Sequence, residues 1–150
     1  MLDFLFYKRR NEASRLLTGR INQQTMAGLD PGERRASRST YCEVVLLIEN
    51  DGYGQPDYAA AEPVVSKDIS PTGLSLIHTR PARGTHVVIG LKQAEGMSFL
   101  KCRLGHCTSL GCGFHQIGLS PEGLVSVPAR VETELRERFD APRQEPVTAR

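Results

Sequence analysis

The sequence predicts an all-β domain, a small antiparallel barrel of six strands followed by one α-helix. Three observations favour this fold. From Tyr41 onward, short β-branched or apolar runs alternate with turn residues, their connections are short, and a helical period returns only near the end of the chain. The length of 150 residues suits one domain of ordinary size with some additional chain.

Residues 1–32 are predicted to be a leader, flexible or partly helical. Ala13, Leu17 and Ile21 recur every four residues with Leu16 beside them, a narrow helical stripe for which Asn11 is the expected N-cap. The apolar side chains further upstream are candidates for docking on the barrel, on a partner or on a second copy of the chain, so a homodimer is one open alternative. These side chains are Leu2, Phe4, Leu5 and Phe6.

Six runs are predicted to be strands, and the barrel is expected to span about residues 41–120. The segments between the runs are rich in the Gly, Pro, Asn and Asp that tight connections need. Val44 to Ile48 are apolar at consecutive positions, which predicts a strand covered on both faces. The six runs are Cys42–Glu49, Pro63–Ser70, Leu74–His78, His86–Leu91, Ser98–Cys107 and Phe114–Leu119.

A C-terminal helix is predicted over about residues 129–139, where Val131, Leu135 and Phe139 lie four apart. Two ion pairs are expected on its flank, Glu132 with Arg136 and Glu134 with Arg138. Residues 140–150 hold two prolines and little that could be buried, so we expect a mobile tail there.

Charge and composition exclude several classes of protein. Lys and Arg number 19 against 17 Asp and Glu, a net charge of +2 that does not suit a protein coating nucleic acid. The apolar run Leu2 to Tyr7 is too short to span a bilayer, and charges follow it instead of preceding it, unlike a secretory signal. We therefore expect a cytoplasmic protein.

The cysteines and histidines do not form a recognisable metal or catalytic motif. Cys102 and Cys107 lie an odd number of residues apart on one predicted strand and should face opposite sides, so zinc is not expected and small, reduced, buried thiols are. His78 and His86, with Arg80 near them, either widen a positive rim or are solvated surface. Because no catalytic signature is present, we do not expect an enzyme.

A cluster of arginines lies where the leader meets the barrel. Arg34 and Arg38 stand four residues apart immediately before the first predicted strand, with Arg35 between them. Taken alone, this spacing is more typical of a solvated basic turn than of a binding site.

A second motif joins the second and third predicted strands. Asp68, Ser70 and Gly73 form the pattern Asp-x-Ser-x-x-Gly, which is rare by composition and so carries more weight than a short motif usually does. The residues 70–73 suit a type I turn, with Pro second and Gly fourth. The purely structural interpretation is a hairpin in which Asp68 and Ser70 bond only local backbone.

Together the two motifs resemble those of the PilZ domain, the bacterial receptor module for the second messenger cyclic diguanylate (cyclic di-GMP). That family carries Arg-x-x-x-Arg before the first barrel strand and Asp/Asn-x-Ser-x-x-Gly between two later strands. Both occur here in that order, as Arg34 to Arg38 and Asp68 to Gly73. With the hairpin Cys102–Leu119 and the C-terminal helix, the resemblance covers residues 33–139.

The resemblance implies a receptor that binds cyclic di-GMP without a metal or cofactor. Arg34 and Arg38 would hold guanine edges and phosphates, and Arg35 is left open between stacking, phosphate contact and solvent. In the second motif the Asp and Ser would bind a guanine, and the Gly would shape the loop. Binding would draw the arginines onto the barrel and change the surface shown to an unidentified downstream protein.

Two other functions compete with this one. A degenerate PilZ-like adaptor would bind a protein and no nucleotide, but the five motif residues are all present. A barrel that binds single-stranded nucleic acid would need more than 6% aromatic residues and a larger positive charge than +2. The sequence leaves open whether the ligand is one molecule or a stacked pair.

Overall fold

The computed structural model describes residues 9–19, 39–40 and 42–140. The predicted apolar run at the N-terminus, Ile21, the arginine cluster (Arg34, Arg35 and Arg38) and the tail beyond residue 140 lie outside the described residues.

Within the described residues the chain forms two α-helices, one short 3₁₀-helix and seven strands. Helix α1 covers residues 9–19, the 3₁₀-helix covers Tyr58–Ala60, and helix α2 covers Ala129–Asp140. The strands are β1 (Ser39–Thr40), β2 (Val44–Glu49), β3 (Glu62–Ser70), β4 (Gly73–His78), β5 (His86–Lys92), β6 (Met97–Gly111) and β7 (Phe114–Val125).

Six of the strands close into an antiparallel barrel, which confirms the predicted fold. The hydrogen-bonded order is β3-β2-β5-β6-β7-β4, and a further pairing of β3 with β4 closes the ring. Strand β1 was not predicted. It adds two residues to β3 on the side opposite β4, where β2 pairs with the first half of the strand. Closure of the ring pairs most of the strand backbone and so removes most of the open sheet edge.

Two hydrophobic clusters explain the unbroken apolar run of β2. Val45 and Leu47 belong to an interior cluster to which all six barrel strands contribute. Leu46 and Ile48 point the other way, into an outer cluster with Val88, Phe99 and Leu135 of helix α2. From Val45 to Ile48 the strand is therefore covered on both faces, by the barrel interior and by α2, as the sequence predicted, whereas Val44 at its start is exposed.

Helix α2 packs through the predicted stripe but uses its charges differently. Leu135 is buried, and burying such a leucine contributes about 1.5–3 kcal/mol. The predicted ion pairs are wrong: Glu132 instead accepts a hydrogen bond of 2.9 Å from the backbone N–H of Met97. Arg138 donates to the carbonyl groups of residues 58, 59 and 61 at the end of the 3₁₀-helix, while Glu134 pairs with Arg130. These charges fasten the helix to the barrel.

Helix α1 is a second point of attachment on the barrel. Ala13 and Leu17 are fully buried in the interior cluster, and Leu16 packs against it, so the predicted stripe is the face that binds the barrel. Asn11 is not the N-cap, because it already lies inside the helix.

The β6–β7 hairpin is longer than predicted. Its residues 105–111 and Phe114 are exposed, and β6 continues past the end of its pairing with β5 while β7 stays paired with β4 as far as His115. At its tip Cys112 has a φ of +54° between two glycines, Gly111 and Gly113, whose φ values are also positive. The two residues of the turn, Cys112 and Gly113, both have φ above zero, as a type I′ turn requires.

Candidate functional site

The second sequence motif lies at the turn between β3 and β4. Ser70 pairs with Gly73, so Pro71 and Thr72 form a two-residue connection with both side chains exposed. Ile69 and Leu74, beside the paired residues, belong to the interior cluster, which anchors the turn in the barrel.

Ser70 bonds mainly to its own turn. Its hydroxyl accepts from the N–H of Thr72 at 3.4 Å and donates to the carbonyl of Gly73 at 3.5 Å. Both distances are at the long end for hydrogen bonds, so each contact is weak. The hydroxyl supports the turn while keeping most of its bonding capacity.

Gly73 is required by its neighbour across the sheet. It has no positive φ, so the turn itself does not demand glycine. A Cβ at this position would lie 3.3 Å from the carbonyl oxygen of Leu119 on β7 and 3.6 Å from the Ser70 hydroxyl. The absent side chain therefore lets β4 and β7 approach closely beside the turn.

Asp68 lies in a row of small and polar residues on the outer face of the barrel. It is half-buried and pairs with Ser75, which in turn pairs with Gly118. The neighbours of these three residues, among them Ile69 and Leu119, point into the barrel, so the row points outward. Three adjacent strands thus place a carboxylate, a buried hydroxyl and a glycine side by side.

Ser75 carries a buried polar atom that the described residues leave without a partner. Its residue is 3% exposed, and no hydrogen bond to its hydroxyl oxygen forms within that part of the chain. An unpaired buried hydroxyl costs about 1–3 kcal/mol, and in native proteins such atoms are uncommon.

The first strand connects the two motifs. Ser39 pairs with Ile69, and Thr40 pairs with Asp68. Ser39 directly follows Arg38 in the sequence. The arginines themselves lie outside the described residues, but the chain that carries them enters the sheet beside the Asp-x-Ser-x-x-Gly strand.

A groove of about 470 Å³ opens next to this row, within the range of about 300–1,000 Å³ that small-molecule sites span. The described residues that line it include hydroxyls, glycines and one imidazole, and none of them is a carboxylate. They are Ser70, Pro71, Thr72, Gly73, Leu74, Gly105, His106, Gly118, Leu119 and Ser120.

His106 forms the wall of this groove opposite the turn. Its ring lies over Gly118, with Cε1 3.0 Å from the position that a Cβ would take. The register shift of β6 between Leu104 and Cys107 places Gly105 and His106 opposite the glycine. The sequence alone gives His106 no role, because the strand partner that places it in the groove is not visible along the chain.

The histidine and arginine residues at the far end of β4 do not form a positive rim. His78 bonds Glu62 through Nε2 at 2.9 Å, and its Nδ1 accepts from the backbone N–H of Thr79. Arg80 forms ion pairs with both Glu62 and Glu49. His78 and Arg80 are therefore matched by carboxylates.

The paired charges shift the acidity of this network. Burial alone would raise the pKa of Glu49, but hydrogen bonds from the Arg80 side chain and the Arg83 backbone, and the charges of both residues, lower it below its usual value. The ion pair with Glu49 raises the pKa of Arg80 in turn. Both shifts favour the charged forms and thus the pair.

The cysteines only partly match expectation. Cys102 is buried, and burial, with the charge of Glu122, raises the pKa of its thiol to about 12. Cys42, Cys107 and Cys112 are exposed, so the prediction of buried thiols is wrong for them, in two cases because the β6–β7 hairpin extends beyond the core. All four are free, and no cluster of His, Cys, Asp and Glu suited to a metal ion occurs among the described residues.

Comparison with known proteins finds similarity among solved structures. No protein-family model matches the sequence, and no curated protein matches it. Among solved structures, the chain is similar to the inhibitor of motility MotI/DgrA of Bacillus subtilis, at 12% identity and a TM-score of 0.40. The match covers 74% of this chain and 54% of the other, so this chain spans about half the length of that protein.

Neither described helix is long and apolar enough to cross a membrane.

Proposed function

We propose that this chain is a non-enzymatic receptor domain for cyclic di-GMP, which binds on the outer face of the barrel beside the β3–β4 turn. The observation that supports the proposal most is the pairing of β1 with β3, because Ser39 follows Arg38 and lies opposite Ile69, between Asp68 and Ser70. The strand that follows the first motif in sequence is thus paired with the strand that carries Asp68 and Ser70.

The side chains suit the groups that this ligand presents. An arginine fork donates to the O6 and N7 acceptors of guanine or to a phosphate, which fits Arg34 and Arg38, with Arg35 as a further donor. A carboxylate accepts from the N1 and N2 hydrogens of guanine, the role we assign to Asp68. No metal is needed, because the guanidinium groups neutralise the two phosphates.

The turn and the groove would complete the site. The weak local bonds of Ser70 can be exchanged for a bond to the ligand at little cost. The glycines at 73 and 118 keep the surface flat, and the ring of His106 offers a face for stacking on a purine.

Signalling would follow from ordering rather than from a reaction. A ligand held by both motifs fastens the segment before β1 to the barrel, so the surface there differs between the free and bound states. A downstream protein that recognises one of these surfaces would read the concentration of the messenger.

Isothermal titration calorimetry with cyclic di-GMP tests the proposal, with GTP and the linear guanine dinucleotide as controls. We expect selective binding at micromolar concentration or tighter, and the stoichiometry separates one bound molecule from a stacked pair. Absence of heat from a protein shown to be folded would overturn the proposal and favour a protein-binding adaptor.

A further inference from the structure

Helix α1 is seated on the barrel in one fixed rotation. Ala13 and Leu17 lie fully buried among the interior side chains. Arg9 packs on Gly123 of β7, with its Cβ 3.1 Å from the position of an added Cβ there. Because one helix face is held at these points, the neighbouring faces of α1 also have defined surroundings.

The face that carries Arg10 and Ser14 borders a second groove, of about 210 Å³. These two residues lie four apart and so share one side of the helix. The opposite wall contains Pro71 and Thr72 of the β3–β4 turn, and Asn11 and Pro121 complete the described lining. A guanidinium, an amide and two hydroxyls converge there with no carboxylate among them, a set of donors suited to an anion.

The two grooves lie on the two sides of one turn. Pro71 and Thr72 line both of them. The first groove borders the Asp68 motif, while the second brings in charge from a helix that sequence analysis left without a role. A ligand with two bases and two phosphates has enough separate groups to contact both grooves at once.

We propose that Arg10 is a further ligand-binding residue, which holds a phosphate of the cyclic dinucleotide from the α1 side of the β3–β4 turn. This inference rests on the proposed function. It gives α1 a part in the site: the helix is fixed to the barrel by Ala13 and Leu17, and the bound ligand joins its exposed face to Thr72. Ligand binding should then hold α1 more firmly against the barrel.

Arg10→Ala, with Arg15→Ala as matched control, tests this assignment by calorimetry with cyclic di-GMP. Arg15 is an exposed arginine on the same helix that does not line either groove, so the two variants lose the same charge. We expect Arg10→Ala to weaken binding about 5- to 30-fold and Arg15→Ala to change it less than about 2-fold.

Hydrogen exchange of the amides in residues 9–19 supplies a second readout. Cyclic di-GMP should slow exchange there in the wild-type protein and in Arg15→Ala, and much less in Arg10→Ala at the same ligand concentration. Thermal melting of the free proteins checks that both variants remain folded.

The outcomes separate this inference from the proposed function. Wild-type binding that is weakened by Arg38→Ala but unchanged by Arg10→Ala would overturn the role of Arg10 and leave the receptor function in place. Equal weakening by Arg10→Ala and Arg15→Ala would also overturn it, because only general charge would then matter. A folded wild-type protein that binds no cyclic di-GMP overturns both.

Discussion

The two ends of strand β4 differ in the partners that their polar side chains find. At the end near His78, Arg80 forms ion pairs with Glu49 and Glu62, and the imidazole of His78 bonds Glu62. Oε1 of Glu49 takes part in this ion pair but accepts no hydrogen bond of regular geometry among the described residues. At the end near Gly73, Ser70 has only long local hydrogen bonds and Ser75 has no described partner. The charged side chains at one end thus pair with one another, whereas at the other end the protein holds the Ser70 hydroxyl only weakly.

The largest effect should come from replacing one arginine of the proposed site and, separately, one arginine of the ion-paired end by alanine. Arg38→Ala is expected to weaken cyclic di-GMP binding by about 1–3 kcal/mol, or about 5- to 150-fold, because a bidentate contact is lost. Arg80→Ala should leave the affinity unchanged and lower the melting temperature, since Glu49 and Glu62 lose their shared partner. Calorimetry and thermal melting of both variants test this. A loss of affinity in Arg80→Ala equal to that in Arg38→Ala would erase the distinction.

The paired end should also respond to acid. The pKa of Glu49 in the folded protein lies below its usual value of 4.5, so its charged form stabilises the fold above that pH. This contribution is lost as pH falls through the lower, folded-state pKa. Glu49→Gln should therefore melt at a lower temperature than wild type at pH 7, and the gap should close as the pH falls below 4.5.

Glu137→Gln, on the exposed side of α2, is the control for the acid experiment and should show no such closing gap. A difference between wild type and Glu49→Gln that stays constant over the whole pH range would contradict the assigned cause.

The close approach of β4 and β7 at Gly73 should affect the free energy of unfolding. Gly73→Ala places a methyl group 3.3 Å from the Leu119 carbonyl, which we expect to cost about 1 kcal/mol of unfolding free energy. Gly52→Ala is the matched control, because nothing lies within 4 Å of its added Cβ and its φ is not positive. Urea denaturation measures both, and equal stability of the two variants would show that β4 and β7 separate without cost.

The smallest effect is a gain in stability at the tip of the β6–β7 hairpin. Cys112 adopts a φ of +54°, which costs free energy for most side chains and less for asparagine. Cys112→Asn should raise the unfolding free energy by up to about 1 kcal/mol, since Asn-Gly is the preferred type I′ pair. Cys107→Ser, an exposed position within the hairpin strand, should change it little; a destabilised Cys112→Asn would mean that the thiol makes a contact of its own.

Much of the fold follows from local pattern. The apolar run Val44 to Ile48 predicted two covered faces, which is correct from Val45 onward, and the stripe with Leu135 predicted the helix that covers the outer one. The hairpin was predicted too short, because Gly105 to Gly111 have little apolar character and pair outside the core. The local sequence pattern therefore predicts buried segments well. It predicts poorly where a strand continues with its residues exposed to solvent.

The site was less accessible to the same reasoning. Asp68, Ser70 and Gly73 follow from a motif, but His106 and Arg10 join the grooves only through partners distant in sequence. No periodicity relates Arg10 to Thr72 or His106 to Gly118. The ion pairs expected along α2 failed for the same reason, since Glu132 found a closer partner in the backbone of Met97.

The part of β6 that continues beyond its pairing with β5 also bears on self-association of the protein. The pairing of β5 with β6 stops at His86 and Arg103, so among the described residues the backbone beyond Leu104 has a strand on one side only. Such an edge invites a strand of another molecule to add to it. Register shifts between Leu104 and Cys107 and between Ser109 and Gly111 break the regular spacing of its donors and acceptors, which guards the protein against aggregation through this edge.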